Sequence, residues 1–164
     1  MENWEITDVK NFMNKMLLSE KFDNFLLEEG DLHGSMRIHF DGHLESGYFS
    51  TEELEERMSQ GDCVHYGEIR HIILEAIKGK NTPDFFRFVY KADNELVKKI
   101  AEDSGTPIGD ISGLFMNVTF RGGSLKVVDG TAMKVFSLDK SVDKSWDNCI
   151  QRFLYNNEFN WNII

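Results

Sequence analysis

Histidine and aspartate at alternating positions form the group of side chains in this sequence that is best suited to metal chemistry. His33, His39, Asp41 and His43 all occupy odd positions, with Arg37 among them, so an unbroken strand would place all five on one face. Imidazole and carboxylate groups are ligands for zinc and similar divalent ions. The pattern therefore allows a metal site at His33, His39 and Asp41, and a metal-dependent enzyme built on that strand face.

Two features of the same segment favour a purely structural interpretation. Asp41-Gly42 is a strong turn signal, which would end the strand before His43 and direct that side chain elsewhere. The odd positions are also those of the solvated strand face, because Met36, Ile38 and Phe40 alternate with them. An ordinary polar strand face is therefore the alternative to the metal site.

Signatures of covalent or cofactor chemistry are missing from the sequence. Cys63 and His65 are close in sequence, but catalytic pairs are assembled in space, and a reactive thiol needs a nearby cation or helix N-terminus. The chain has no nucleophile elbow, phosphate-binding loop, dinucleotide fingerprint or His-Glu-x-x-His pair. We therefore favour a protein that is not an enzyme, and we expect no cofactor.

Cations on two predicted helices suggest phosphate binding as a third kind of chemistry. They are Lys10, Lys15, Arg70, Lys78 and Lys80. If the two helices lie side by side, these residues would form a weakly basic face for nucleic acid. Cations near a helix C-terminus are also stabilised by the helix dipole without any ligand, and the formal net charge of -10 opposes non-specific binding to nucleic acid. Nucleic acid is therefore a less favoured partner than protein.

Length and composition predict one globular domain over residues 1–164. A chain of 164 residues with 41% hydrophobic content buries most of its apolar surface without disulfides. Its two cysteines are far apart in sequence, which favours a reducing cytoplasm. No stretch approaches the ~20 apolar residues that span a bilayer, so we expect no membrane association.

Apolar residues at helical spacing predict three amphipathic helices, each with one stripe for a core. The stripes are Val9, Phe12, Met13, Met16 and Leu17; Ile69, Ile72, Ile73, Ala76 and Ile77; and Trp146, Cys149, Ile150, Phe153 and Leu154. A fourth helix is predicted from Glu95 to Glu102 behind the N-cap Asp93. A fifth is predicted from the capping-box spacing of Ser50 and Glu53.

Alternating or fully apolar runs predict strands between the helices. They are Phe22–Glu29, Met36–Phe40, Phe85–Tyr90, Leu114–Phe120, Leu125–Val128 and Met133–Leu138, with a further candidate at His43–Phe49. Tight turns at Gly122-Gly123 and Asp129-Gly130 require antiparallel neighbours. The predicted fold is α+β, with a mostly antiparallel sheet packed by amphipathic helices. Helix followed by strands occurs twice, in residues 7–49 and 66–138, as two pseudo-repeats.

Several segments resemble a family of uncharacterised proteins of this length from Gram-positive anaerobes. They are ITDVKNFMNKMLLSEKFDNFLLEEG from Ile6, IKGKNTP from Ile77, GLFMNV from Gly113 and GTAMKVFSLDKSVDKSWD from Gly130. The resemblance covers nearly the whole chain, but it implies no activity, ligand or catalytic residue. In shape, the helix and strands with LKVVDGT also resemble the repeat unit of DNA sliding clamps, which implies a clamp-like fold that binds nucleic acid.

The segment from Phe159 to Ile164 is apolar for a chain end. We expect it to form a last edge strand, to cover the core as a flap, or to dock into a partner or second subunit. Because no reactive group of residues is evident, the favoured prediction is a non-catalytic cytoplasmic module for protein interaction or self-association. A metal-dependent enzyme and a clamp-like nucleic-acid binder are the alternatives.

Overall fold

A computed structural model of the chain describes residues 1–164 and confirms the predicted α+β class. The elements in chain order are β1 (Asn3–Ile6), α1 (Val9–Leu18), β2 (Leu26–His33), β3 (Arg37–Asp41), α2 (Thr51–Met58), α3 (Tyr66–Ile77), β4 (Phe85–Lys91), α4 (Asn94–Ser104), β5 (Ile111–Arg121), β6 (Ser124–Met133), α5 (Ser141–Asn156) and β7 (Trp161–Ile163). Short 3-10 helices occur at Ser46–Tyr48 and Ile108–Asp110. No helix combines the length and the apolar character that crossing a bilayer requires.

The seven strands form one sheet in the order β3-β2-β4-β5-β6-β1-β7, and every neighbouring pair is antiparallel. Side chains alternate between a face covered by helices and an open face. Leu32, Phe86 and Val118 are fully buried on the covered face, whereas Arg87 and Thr119 lie on the open face at intermediate exposure. A sheet with one packed and one solvated face follows from this alternation.

The core is one cluster of 30 buried residues between the sheet and the helices. Aromatic rings join α1, α3 and α5 at its centre, because the Phe22 ring lies 5.4 Å from that of Phe12 and 5.1 Å from that of Phe153. The rings of Tyr66 and Tyr90 lie 5.0 Å apart in the same group. The predicted stripes of these helices therefore meet on one side of the sheet.

Two predicted turns have opposite outcomes. Gly122 and Gly123 form the β5–β6 corner with φ angles of 58° and 80°, which glycine adopts without strain. The predicted corner at Asp129-Gly130 is wrong, because β6 continues through it and pairs with β5 as far as Met133. The predicted strand Met133–Leu138 is therefore wrong beyond its first residue.

The end of the chain packs onto its own sheet. Phe159 is 3% exposed in the core, and β7 pairs with β1 as the edge strand. The expectation of a last edge strand is therefore confirmed. β1 itself was not predicted, and the candidate strand at His43–Phe49 is wrong, because that segment contains an isolated bridge at His43 and a 3-10 helix.

Candidate metal centre

The predicted metal ligands His33, His39 and Asp41 share the open face but contact different partners. The His33 ring lies 4.8 Å from the ring of Phe85. Nδ1 of His39 lies 2.7 Å from Oδ1 of Asp31, and Asp41 bonds to His43. Those three residues therefore do not form one site, because β3 spreads them along its length.

A different group of metal-binding donors converges at the end of β3. One ligand atom each of Glu28, His43 and Cys63 lies within 4.8 Å of the other two. Nε2 of His43 is 3.2 Å from Oε1 of Glu28, and Sγ of Cys63 is 3.9 Å from Oε2 of Glu28. A tetrahedral zinc ion holds such atoms about 3.3 to 3.6 Å apart. The two distances from Glu28 are therefore close to those in a tetrahedral zinc site.

Glu28 and Gly42 bring the first two ligands together. Glu28 lies at the register shift between Leu27 and Glu29, where β2 leaves its regular pairing with β4. A Cβ atom on Gly42 would lie 1.7 Å from the carbonyl oxygen of Leu27, and the amide of Gly42 donates to the carbonyl of Glu28 at 3.0 Å. Only glycine lets the chain cross β2 this closely. Because His43 is the next residue, the crossing places its side chain beside Glu28.

The third ligand comes from the segment before α3. His43 and Cys63 form an isolated antiparallel bridge, and the amide of Leu44 donates to the carbonyl of Asp62 at 2.9 Å. Gly61 has a φ of 148°, and a Cβ atom there would meet Leu26 Cδ1 at 2.3 Å. Two glycine-dependent crossings therefore place His43 and Cys63 side by side.

Asp41 orients the imidazole of His43. Its Oδ1 lies 2.7 Å from Nδ1 of His43 and also accepts the amide of His43 at 3.0 Å. The hydrogen bond to Asp41, aided by the charge of Glu28, raises the pKa of His43, and it lowers the pKa of Asp41. When Nδ1–H donates to a carboxylate, Nε2 keeps its lone pair for a metal.

Negative charge exceeds positive charge around these donors. Nζ of Lys91 lies 3.0 Å from Oδ1 of Asp62 and 3.8 Å from Oε2 of Glu28. With neutral His43, the carboxylates of Glu28, Asp41 and Asp62 carry three negative charges against the one positive charge of Lys91. Two negative charges stay uncompensated, and a divalent cation would balance them.

Cys63 is held as a neutral thiol when no cation is present. Burial raises the pKa of its thiol, and the neighbouring carboxylates of Asp62 and Glu28 raise that pKa further. The thiol hydrogen lies within reach of Oδ1 of Asp62, at a donor–acceptor distance of 3.4 Å. A bound metal ion would reverse this preference, because coordination removes the thiol proton.

A cavity of about 480 Å³ borders the site through Asp62 and Lys91. Met58, Ile108 and Gly113 contribute to its wall. The ring of His43 is 49% exposed, so solvent reaches the donors from that side. The site is therefore partly enclosed by protein and open to a small ligand.

The predicted basic face of α1 and α3 is mostly neutralised. The two helices do pack side by side, but Nε of Arg70 bonds to Asp23 at 2.9 Å. Lys15 lies 3.8 Å from Glu158, and Lys78 lies 3.0 Å from Glu75. Lys10 and Lys80 are exposed and form no ion pair. Nucleic-acid binding along these helices stays a prediction with few unpaired charges to support it.

Sequence reasoning missed Glu28, His43 and Cys63 as a group. The usable signal was the pairing of Asp41-Gly42-His43 with Gly61-Asp62-Cys63, since both place a turn residue just before a metal ligand. The distance of Cys63 from His43 in sequence hid their contact, which arises only when both segments cross the end of β2.

Comparisons with known proteins agree with the resemblance found in the sequence. No curated protein and no solved structure matches the chain, so the resemblance to sliding clamps stays a prediction. The model of a family of unknown function, DUF5721, matches residues 15–162, which include Glu28, His43 and Cys63. The chain is therefore a member of the DUF5721 family of unknown function.

Proposed function

We propose that this protein binds a divalent transition-metal ion, with Zn²⁺ as the first candidate, through Glu28, His43 and Cys63. The observation that supports this most is the convergence of a carboxylate, an imidazole and a thiol from three chain segments within 4.8 Å. This proposal keeps the metal hypothesis but moves it from His33, His39 and Asp41 to a neighbouring set of donors.

The mixed donor set favours zinc over hard cations. Mg²⁺ and Ca²⁺ select oxygen ligands, whereas a thiolate and an imidazole suit Zn²⁺ and its transition-metal neighbours. The uncompensated negative charge described above favours a divalent ion over a neutral ligand. Both cysteines are free thiols, which supports the proposal of a reducing, cytoplasmic location, where Cys63 stays available as a ligand.

Three protein ligands would leave one position of a tetrahedral ion for water or a substrate atom, which is the arrangement of catalytic zinc sites. Asp62 lies beside Cys63 and lines the adjoining cavity, so its carboxylate is placed to accept a proton from a bound molecule. This arrangement supports a metal-dependent enzyme over a site whose four ligands all come from protein.

Zinc titration of the purified protein tests the proposal. We expect one Zn²⁺ per chain, measured by competition with a chromophoric chelator and confirmed by elemental analysis. Cys63→Ser and His43→Gln should each weaken binding at least about 10-fold. Cys149→Ala and His39→Gln are matched controls outside the site and should bind as the wild type does. Absence of zinc uptake, or equal losses in the controls, would contradict the proposal.

A second candidate function, association with protein, rests on an exposed apolar segment. Val135, Phe136 and Leu138 follow β6 and are 54%, 92% and 84% exposed. Neighbouring apolar side chains with this exposure are typical of interaction surfaces. We therefore assign the proposed interaction to this segment. The C-terminal residues were the earlier candidate, but Phe159 is buried in the core and β7 pairs with β1.

Light scattering over a range of concentrations tests self-association through this segment. We expect the mass of the wild type to rise with concentration and that of the double variant Phe136→Ser, Leu138→Ser to stay monomeric. A double substitution of the exposed Thr51 and Glu52 to Ser on α2 is the control. A monomeric wild type at every concentration would remove self-association from consideration.

A further inference from the structure

An aromatic and basic row crosses the open face of the sheet at the end of β2 away from the metal centre. It consists of Arg37, His33, Phe85 and Arg121 on β3, β2, β4 and β5. Each residue is directly opposite the next one in the strand register. We call these four residues the Arg37–Arg121 row.

Two contacts hold Phe85 at the centre of this row. The guanidinium of Arg121 lies 4.6 Å from the centroid of the Phe85 ring, and the ring of His33 lies 4.8 Å from the same ring on the other side. Both rings are only partly buried. The row therefore presents aromatic rings between two guanidinium groups on a rigid sheet.

The charges of the row are free of carboxylate partners. Neither Arg37 nor Arg121 forms an ion pair, and both are exposed. Two carboxylates of the open face are already paired, because Arg87 lies 2.8 Å from Glu29, and Asp31 accepts from His39 at 2.7 Å. The exposed carboxylate of Asp84, next to Phe85, lies beside the row without an ion pair. Positive charge exceeds negative charge there, although the net charge of the protein is -10.

A neighbouring loop adds a further cation. The amide of Asp84 donates to the carbonyl of His33 at 3.0 Å, which ties the segment after α3 to the end of β2. That segment carries Lys80 and lines a cavity of about 450 Å³ with Gly34 and Ser35. Lys80 therefore extends the basic surface beyond the row.

We propose that the Arg37–Arg121 row binds single-stranded nucleic acid. Arg121 leaves the ring of Phe85 to contact a phosphate, and an unpaired base takes its place and stacks on Phe85. Arg37 and Lys80 contact the neighbouring phosphates. A duplex keeps its bases stacked inside and offers no base to Phe85, so the aromatic centre selects single strands. The site does not depend on the candidate metal centre, and of the cations predicted with α1 and α3 it uses only Lys80.

Fluorescence anisotropy with labelled oligonucleotides of about 12 nucleotides tests the proposal, since that length spans one such site. We use oligo-dT, the matching oligo-U and a duplex of mixed sequence. With about three phosphates contacted, log Kd should change with log salt by a slope of about 2 for single strands. Oligo-dT and oligo-U should bind, with any difference between them reporting contacts to the 2′-hydroxyl or to the thymine methyl group, and the duplex should bind more weakly.

Variants locate the binding surface. Arg37→Gln with Arg121→Gln should reduce the salt slope and weaken binding, and Phe85→Ala should weaken binding at least about 5-fold. Phe85→Leu keeps an apolar side chain of similar size, so it separates loss of stacking from loss of folding. Circular dichroism checks independently that each variant is folded. Lys98→Gln with Lys99→Gln on α4 removes the same charge elsewhere and should bind as the wild type does. Absence of binding at low salt, equal loss in the α4 variant, or stronger binding of the duplex would overturn the proposal.

Discussion

The carboxylate of Asp41 lies 2.7 Å from Nδ1 of His43 and leaves Nε2 of the same ring 3.2 Å from Glu28. The neighbouring pair of Asp31 and His39 has the same 2.7 Å contact, but it does not belong to a group of three metal-binding side chains. The pair of Asp41 and His43 thus belongs to the proposed metal centre, and the pair of Asp31 and His39 lies on the open face of the sheet. This contrast provides an internal control for the role of Asp41.

Asp41→Asn should weaken zinc binding by about 10- to 100-fold, because it replaces the carboxylate that fixes the imidazole with a neutral, weaker acceptor. Asp31→Asn makes the same change beside His39 and should leave zinc affinity unchanged. Isothermal titration calorimetry measures both. Equal affinities for the Asp41 and Asp31 variants would show that Asp41 does not position His43.

Zinc affinity should rise with pH across the neutral range. Burial and the nearby carboxylates raise the pKa of Cys63, and the hydrogen bond to Asp41 raises the pKa of His43. Both groups therefore bind protons more tightly than usual, and the metal competes with those protons. Binding should therefore release protons, and the enthalpy measured by titration should vary with the ionisation enthalpy of the buffer. An affinity that is unchanged between about pH 6 and pH 8 would contradict proton displacement at this site.

Asp129→Asn should stabilise the protein at neutral and higher pH. Oδ1 of Asp129 accepts the amide of Glu2 at 2.7 Å, while the buried Oδ2 has no donor. Burial, followed by the contact with Asp147, raises the pKa of Asp129 to about 8. A proton on Oδ2 turns the contact with Asp147 into a hydrogen bond, and the amide of asparagine donates in the same way at every pH.

The pKa of Asp129 determines where stability changes with pH. In the unfolded chain its pKa takes the ordinary value of 3.8, so the folded protein holds the proton more tightly. The stability that this proton contributes is fully present below pH 3.8 and is lost as pH rises to about 8. In thermal unfolding, the free energy of unfolding of Asp129→Asn should exceed that of the wild type by about 1 to 3 kcal/mol at pH 8. This difference should disappear in acid. The exposed control Asp103→Asn should follow the wild type at all pH values.

Gly42→Ala should destabilise the fold and disrupt the metal site together. A Cβ atom there would lie 1.7 Å from the carbonyl oxygen of Leu27, so the backbone must shift at a cost of about 1 to 3 kcal/mol. Gly47 has no atom near an added Cβ, and Gly47→Ala should be neutral or slightly stabilising. Chemical denaturation measures both. A Gly42→Ala protein as stable as the wild type would show that the close crossing is not required.

Helices and their inner faces could be predicted from the sequence because they depend on local spacing. The capping box of Ser50 and Glu53 was visible in the sequence and occurs at the start of α2. The stripe containing Trp146 and Ile150 is buried as the spacing indicated. These features depend on residues three or four positions apart, so a single sequence contains the needed information.

Long-range pairing limited the prediction of strands. β1 is only four residues long and becomes a strand because it fits between β6 and β7. Asp129 looked like a turn residue, but β5 is long enough to hold β6 straight through it. Pairing along the full length of a neighbouring strand outweighed the local preference of Asp129-Gly130 for a turn.

The candidate metal centre could not be predicted because its donors come from separate parts of the chain. His43 was expected to turn away from the strand face, and it does so, but the turn brings it to Glu28 and Cys63. The β-bulge at Glu28 and the close crossing at Gly42 have no signature in local periodicity. Only the folded arrangement of β2, the segment after β3 and the segment before α3 brings these three side chains together.

Absorption spectroscopy of the Co²⁺-substituted protein tests the central claim most directly, because a cobalt–thiolate bond gives a charge-transfer band that imidazole and carboxylate ligands do not. We predict that one equivalent of Co²⁺ produces this band together with the d–d bands of tetrahedral cobalt. Cys63→Ser should abolish the charge-transfer band, Cys149→Ala should keep it, and one equivalent of Zn²⁺ should displace the cobalt. A spectrum without thiolate charge transfer in the wild type, or one that survives in Cys63→Ser, would contradict a metal centre at Glu28, His43 and Cys63.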